Sequence, residues 1–209
     1  MKLYSFPFSP NCQKVIAVAH EVGTPLQLVP VDLFKGESRT PGMLSKNPNG
    51  KVPILEDGDF VLWESTAMIA YIAAKAGRTD LLPATPRERA EVDRWTAWQG
   101  AHFGPAVRKV AYERIVKKLV GRGAPDEAVV KAGTEEFAMF AGVLDQSLGG
   151  KEYLCGRLTI ADFDLTPYAA LTAGCGLDFG PYPKAKAWLQ RMTSRESVKK
   201  TLDAAREAA

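Results

Sequence analysis

The sequence predicts two domains, a small α/β domain followed by an all-helical one. Three observations carry this. Over residues 1–77, short apolar runs alternate with segments of helical period. A proline-rich, charged joint, RTDLLPATPRER, follows them. From Pro86 onward, long stretches keep a helical period and strand-like alternation nearly vanishes.

In chain order, KLYSF reads as a first short strand. CQKVIAVAHEV has apolar residues at helical spacing, and Gly23 follows as a stop signal. LQLVPVDL is a second strand. Strand, helix and strand at this spacing form a βαβ unit with a parallel pair and a right-handed crossover. FKGESRTPGMLSKNPNGK is a polar loop with one short helix near Pro41 to Ser45. VPILEDGDFVLWES holds two apolar runs joined by Asp57-Gly58, a hairpin signal. Ser65 can cap the helix TAMIAYIAAKAG, which Gly77 ends. The order β-α-β, loop, β-β-α is that of a thioredoxin-like sheet, so we place a thioredoxin-like domain at 1–77. RERAEVDRWTAWQGAHF, DEAVVKAGTEEFAMFAGVLDQSL and KAKAWLQRM supply helices for a bundle of four to seven at 87–209. Within it, Thr159-Ile-Ala-Asp162 is a variant capping box, a structural device.

Composition narrows the function. The chain has 209 residues, 46% hydrophobic and 24% charged, values ordinary for a soluble globular protein. A net charge of +3 and a pI of 8.7 are mildly basic, and the charges are spread out. The one dense patch, RKVAYERIVKKLVGR, contains Glu113 and apolar residues at helical spacing, so it reads as a solvated helix face and no nucleic-acid partner is expected. Cys12, Cys155 and Cys175 are too scattered for a disulfide framework, no Cys-x-x-Cys pair exists, and His20 and His102 are far apart, so no metal is expected. No h-region of a signal peptide and no membrane-length apolar run is visible, so the expected location is cytoplasmic.

Ser9 to Val15 read SPNCQKV, where a redox protein of this fold would place Cys-Pro-x-Cys. The run NPNGKVPILEDGDFVLWESTAMIAYIA, from Asn47 to Ala73, combines an Asn-Pro-x-Gly-x-Val-Pro strand, an acidic hairpin and a Glu-Ser helix start. GRLTIADFDLTP, from Gly156 to Pro167, is a helix-capping segment. In this order the motifs resemble the cytosolic glutathione transferases, and the groups with a serine near the N-terminus (theta, phi and many bacterial members) fit best. The resemblance implies a detoxifying transferase, with glutathione as co-substrate, that conjugates its thiolate to small apolar electrophiles and works as a homodimer.

By that resemblance, Ser9 donates a hydrogen bond to the glutathione sulfur, and Asn11 shares or competes for the task; Ser9 also reads simply as a helix N-cap. Cys12 sits where a resolving cysteine would stand, yet a cysteine in a first helical turn is more often packed. The Val52 backbone would grip the glutathione cysteine as an added strand, ahead of a cis Pro53 that the resemblance implies. Ser65, at a helix N-terminus, suits the γ-glutamyl carboxylate and Glu64 its α-amino group. Arg39, where relatives have His-Lys and this chain has Ser38-Arg39, and Lys51 are candidates for the glycine carboxylate, with a solvated loop charge as the alternative for Arg39. The electrophile pocket is expected in the helical domain, where Trp95, Trp98, His102 and Phe103 stand at helical spacing, a pattern that more often marks core. His20 reads as surface or packing. Two other functions stay open: glutathione-dependent disulfide or peroxide reduction through Asn11 and Cys12, and non-catalytic binding or regulation on the same fold.

Overall fold

The computed structural model describes residues 1–208. Its sheet has the order β2-β1-β3-β4, with β1 (Lys2–Ser5) parallel to β2 (Gln27–Pro30) and antiparallel to β3 (Ile54–Asp57), which pairs with β4 (Phe60–Leu62). The expected parallel pair and hairpin are both present. Register follows burial: Leu3 pairs with Leu28 on one side and Leu55 on the other, and Leu3 and Leu55 are fully buried. Gly58 turns the hairpin at φ 67°, a conformation that costs a residue with a Cβ.

Helix α1 (Pro10–Val22) starts with Ser9 as N-cap and Pro10 at its first position, and stops at Gly23 in the left-handed region. It buries Val15, Val18 and Ala19 and packs against α3 (Ser65–Lys75). A short helix α2 (Pro41–Leu44) lies in the polar loop as expected.

The contacts divide the chain into two compact units: Met1–Leu82 together with the segment from Ser194 onward, and Pro83–Thr193. The joint RTDLLPATPRER is well anchored. Arg78 donates to Asp80 at 2.8 and 2.7 Å and to the Glu21 carbonyl at 3.2 Å, while Leu81 and Leu82 are buried.

The second unit begins with α4 (Pro86–Trp98), capped by Thr85. The helix continues through a π turn (Gln99–Phe103), α5 (Gly104–Ala111), a second π turn (Tyr112–Val116) and α6 (Lys117–Leu119). Helix α7 (Glu127–Leu148) approaches α5 closely at Gly133, where a Cβ would lie 2.8 Å from Val110 Cγ2. Helix α8 (Ile160–Leu171) is buried along most of its length. At its start Asp162 accepts from Thr159 N, Leu154 N and Trp188 Nε1, each at 3.0 Å, so the capping box also anchors a loop and helix α9 (Pro183–Thr193).

The last helix, α10 (Glu196–Glu207), departs from the expected 87–209 division by packing on α1 in the first unit. Specific bonds hold it there. Arg195 grips the Glu21 carboxylate at 3.0 and 2.5 Å, Ser197 Oγ donates to it at 2.6 Å, and His20 Nδ1 meets Thr201 Oγ1 at 3.1 Å. Its helical period is indistinguishable from that of the bundle helices, so periodicity alone does not tell which unit it packs on.

Candidate active site

Three segments of the first unit converge: the β1–α1 loop, the turn that leads into β3, and the start of α3. Ser9 Oγ accepts from Cys12 N at 3.4 Å as an N-cap. That bond uses the oxygen, and no bond among the described residues uses the hydroxyl hydrogen. Asn11, two residues on, accepts at Oδ1 from Ser65 Oγ at 3.3 Å, which ties the first turn of α1 to the first turn of α3. One turn deeper, buried Lys14 repeats the tie, donating to Thr66 Oγ1 at 3.2 Å.

Cys12 is fully buried, packed with Val31 and Val52. Its sulfur accepts from Phe6 N at 3.4 Å, and burial pushes its thiol up to about 11 against the pull of the hydrogen bonds. Such a thiol is neutral at physiological pH and closed to a disulfide partner.

The Val52–Pro53 peptide is cis. No hydrogen bond among the described residues uses the Val52 main chain, although the strand continues from Ile54 paired to Tyr4. Asn47, a residue whose function the sequence reading left unassigned, builds this turn. It is buried, donates to Lys51 O at 2.8 Å, and accepts from Asn49 N and Nδ2 at 3.0 and 2.9 Å. The Arg39 side chain lies across Gly50, with Cγ and Cζ 3.2 and 3.6 Å from where a Cβ would stand. Gly50 has φ 61°, so space and backbone both require glycine there. Lys51 itself is exposed.

Glu64 has φ 73° and ψ 105°, the one positive φ at a non-glycine residue among those described. A residue held there costs about 1–3 kcal/mol and persists where the surroundings demand it. It precedes Ser65, which is buried at the first helical position of α3, the end of a helix that favours negative charge.

Ser9, Asn11, Val52 and Ser65 therefore sit within one connected set, with Arg39 against the same turn. The structure also adds aromatic residues that the sequence reading did not weigh. Phe6 makes edge contacts with Phe8 and Phe34, both at 5.3 Å between centroids; Phe8, which precedes Ser9 in the chain, and Phe34 are 38% and 52% exposed. Two phenylalanines in FPFSP and a third in an otherwise polar loop were the available signal. In the helical unit, Trp95 and Phe103 are core, Trp98 stacks with Phe103 and is half-buried, and His102 is exposed over Phe140. No cluster of three or more His, Cys, Asp or Glu side chains among the described residues could hold a metal ion, and no described helix is long and apolar enough to cross a membrane.

The family model for the glutathione S-transferase N-terminal domain matches residues 3–80, and that for the C-terminal domain matches residues 78–196. The chain belongs to the glutathione S-transferase family. It is 38% identical over 213 residues to glutathione S-transferase 3 of Zea mays, covering 98% of this chain and 94% of the relative. It is also 38% identical over 207 residues to glutathione S-transferase F13 of Arabidopsis thaliana, covering 96% and 94%. These are phi-class relatives, in keeping with the serine-type resemblance. Among solved structures, glutathione transferase F7 from Populus trichocarpa superposes with a TM-score of 0.90 at 32% identity, covering 98% of each chain. Maize glutathione S-transferase I in complex with an atrazine glutathione conjugate gives 0.91 at 29% identity, covering 100% and 99%. As a transferase of this family, the chain carries the expected architecture, a thioredoxin-like α/β unit and a helical unit.

Proposed function

We propose that the chain is a glutathione transferase that binds glutathione on its first unit, holds the sulfur as thiolate and lets it attack small apolar electrophiles. The observation that carries this is the Ser9 hydroxyl, an N-cap whose oxygen already accepts from Cys12 N and whose hydrogen stays available. A thiol of pKa about 8.5 is only a few per cent ionised at pH 7, and lowering it by about two units takes roughly 2.7 kcal/mol. A hydrogen bond to a charged group contributes about 1.5–3 kcal/mol, and the N-terminus of α1 adds about 0.3–1 kcal/mol. Together they suffice without a general base.

Asn11, oriented by Ser65, is the second donor candidate at the sulfur. The unpaired Val52 main chain takes the cysteine of glutathione as an added strand. Ser65 and the N–H groups of α3 take the γ-glutamyl carboxylate, and Glu64 its amino group. Arg39, packed on Gly50, takes the glycine carboxylate, with Lys51 as the outer cation. Phe8 and Phe34 form an aromatic wall for the electrophile. Glutathione-dependent disulfide or peroxide reduction through Cys12 is disfavoured by that thiol's burial. A cytoplasmic homodimer completes the reading; Phe60, Val61 and Trp63, exposed on and beside edge strand β4, suit an interface between copies.

The test is ultraviolet titration of thiolate in the glutathione complex of wild type, Ser9→Ala and Asn11→Ala. Wild type should show a lowered thiol pKa that Ser9→Ala largely restores. Loss of the shift in Asn11→Ala alone moves the assignment to Asn11, and no shift in wild type refutes the mechanism.

A further inference from the structure

Lys14 is 2% exposed, a cation that the mechanism above does not use. Desolvating an ammonium is costly, and a lysine is almost never fully buried unless its hydrogens are engaged. Burial at that cost points to a role that an apolar chain of the same length would not fill. Lys14 stands one turn beyond Pro10 and Asn11 on α1, and its Nζ donates to Thr66 Oγ1, in the first turn of α3, at 3.2 Å. The spacing from Asn11 to Lys14 puts both on one face of the helix. Two rungs therefore join the starts of α1 and α3, the outer from Ser65 Oγ to Asn11 Oδ1 at 3.3 Å and the inner from Lys14 to Thr66.

Glutathione acts on the two rungs differently. In the reading above, Ser65 takes the γ-glutamyl carboxylate and Asn11 serves the sulfur. A serine hydroxyl has one hydrogen to give, so the outer rung is surrendered when the carboxylate takes it. The inner rung uses neither residue. An ammonium has three hydrogens, so Lys14 holds Thr66 with the ligand bound or absent. The tripeptide spans the two helix starts, its carboxylate on α3 and its sulfur at α1. With the carboxylate seated, the offset between the starts decides whether the sulfur falls within hydrogen-bond reach of Ser9 Oγ. A misplacement of about 1 Å in such a site costs up to about 10²-fold in rate.

We propose that Lys14 is a positioning residue: through Thr66 it fixes the start of α3 against the start of α1, so that glutathione anchored by its γ-glutamyl carboxylate presents its sulfur to Ser9. This role rests on the glutathione-site reading given above. Lys14 acts through the first turn of α3, on the geometry in which a fixed donor and a tethered sulfur meet.

The experiment is ultraviolet titration of the bound glutathione thiol, together with kcat and KM for glutathione against 1-chloro-2,4-dinitrobenzene. It compares wild type, Ser9→Ala, Lys14→Met, Lys14→Arg, Thr66→Val and the Lys14→Met/Thr66→Val pair. Lys14→Met should raise the thiol midpoint by about one unit, and below both midpoints kcat should fall about tenfold. KM for glutathione should stay within about threefold, because every residue that grips the tripeptide is retained. Lys14→Arg keeps a donor of similar reach and should bring kcat back to within about threefold of wild type. Thr66→Val keeps the charge and breaks the bond. It should move the midpoint in the same direction, and the pair should be no worse than Lys14→Met alone. Circular dichroism establishes that each variant is folded, and Thr66→Val carries the test if Lys14→Met is not. An unmoved midpoint in folded Lys14→Met, a shift in Lys14→Met with none in Thr66→Val, or additive effects in the pair would each overturn the proposal. Where Ser9→Ala still raises the midpoint, such a result removes Lys14 alone; a wild-type complex with no lowered midpoint overturns the glutathione-site reading as well.

Discussion

Replacing Asp162 by alanine should destabilise the helical unit severely. The carboxylate is fully buried and accepts from three protein donors at 3.0 Å: Leu154 N, Thr159 N and Trp188 Nε1. Burial pushes its pKa up while those donors pull it down. Truncation strands three donors in a space too small to resolvate them freely. At about 1 kcal/mol for each of the three stranded donors, the low end of the usual range, the cost is about 3 kcal/mol. That is a large share of the 5–15 kcal/mol typical of a folded chain. With a urea slope of about 2–3 kcal/mol/M, the midpoint falls by about 1–1.5 M. Asp162→Asn keeps the shape and one acceptor oxygen but opposes a donor with an NH₂ group, so it should lose about half as much. Urea unfolding followed by tryptophan fluorescence and circular dichroism measures both. A loss under about 1 kcal/mol for the alanine variant, or an asparagine variant as damaged as alanine, refutes the reasoning from stranded donors.

Cys12 should resist iodoacetamide at pH 8 in the folded protein and react only on denaturation, since it is fully buried and pushed up to about 11; mass spectrometry of the alkylated peptides reads this. Cys175 is likewise pushed up to about 11 by burial, so both thiols lend stability that is complete below pH 9 and declines as the pH rises from 9 towards 11, visible as a falling melting temperature over that window. Glu64→Gly should be more stable than Glu64→Ala by about 1 kcal/mol, because only glycine relieves the positive φ, while both lose glutathione affinity; equal melting temperatures would count against strain at this position. Arg39→Ala should weaken glutathione binding by about tenfold or more, and much less for glutathione amidated at its glycine, if the guanidinium meets that carboxylate; equal losses for both ligands would remove Arg39 from that role.

Much of the candidate site's local structure was legible because its signals are local. Ser9 before Pro10, Asp57-Gly58 in the hairpin, and Glu64-Ser65 before a helix each depend on a few adjacent residues whose backbone chemistry is short-ranged. Cys12 and Asn11 were ambiguous for the opposite reason. Whether a first-turn cysteine is reactive depends on what packs over it, here Val31 and Val52, which lie 19 and 40 positions away. The bond from Ser65 to Asn11 spans 54 positions, and nothing in the spacing of either motif announces it. The contact of Phe34 with Phe6, 5.3 Å between centroids, was not legible because a single aromatic in a polar loop does not announce its partner.

The sequence by itself determined the order of elements, the parallel start of the sheet, the capping devices and the chemical types available for holding a tripeptide, since periodicity, turn chemistry and helix-end signals act over a few residues. Only the tertiary structure decided which unit α10 joins, that Cys12 is closed to solvent, and that Arg39 lies over Gly50. Those outcomes are set by burial and by bonds between distant positions, such as Glu21 with Arg195, whose free energy exists only once the chain has brought them together.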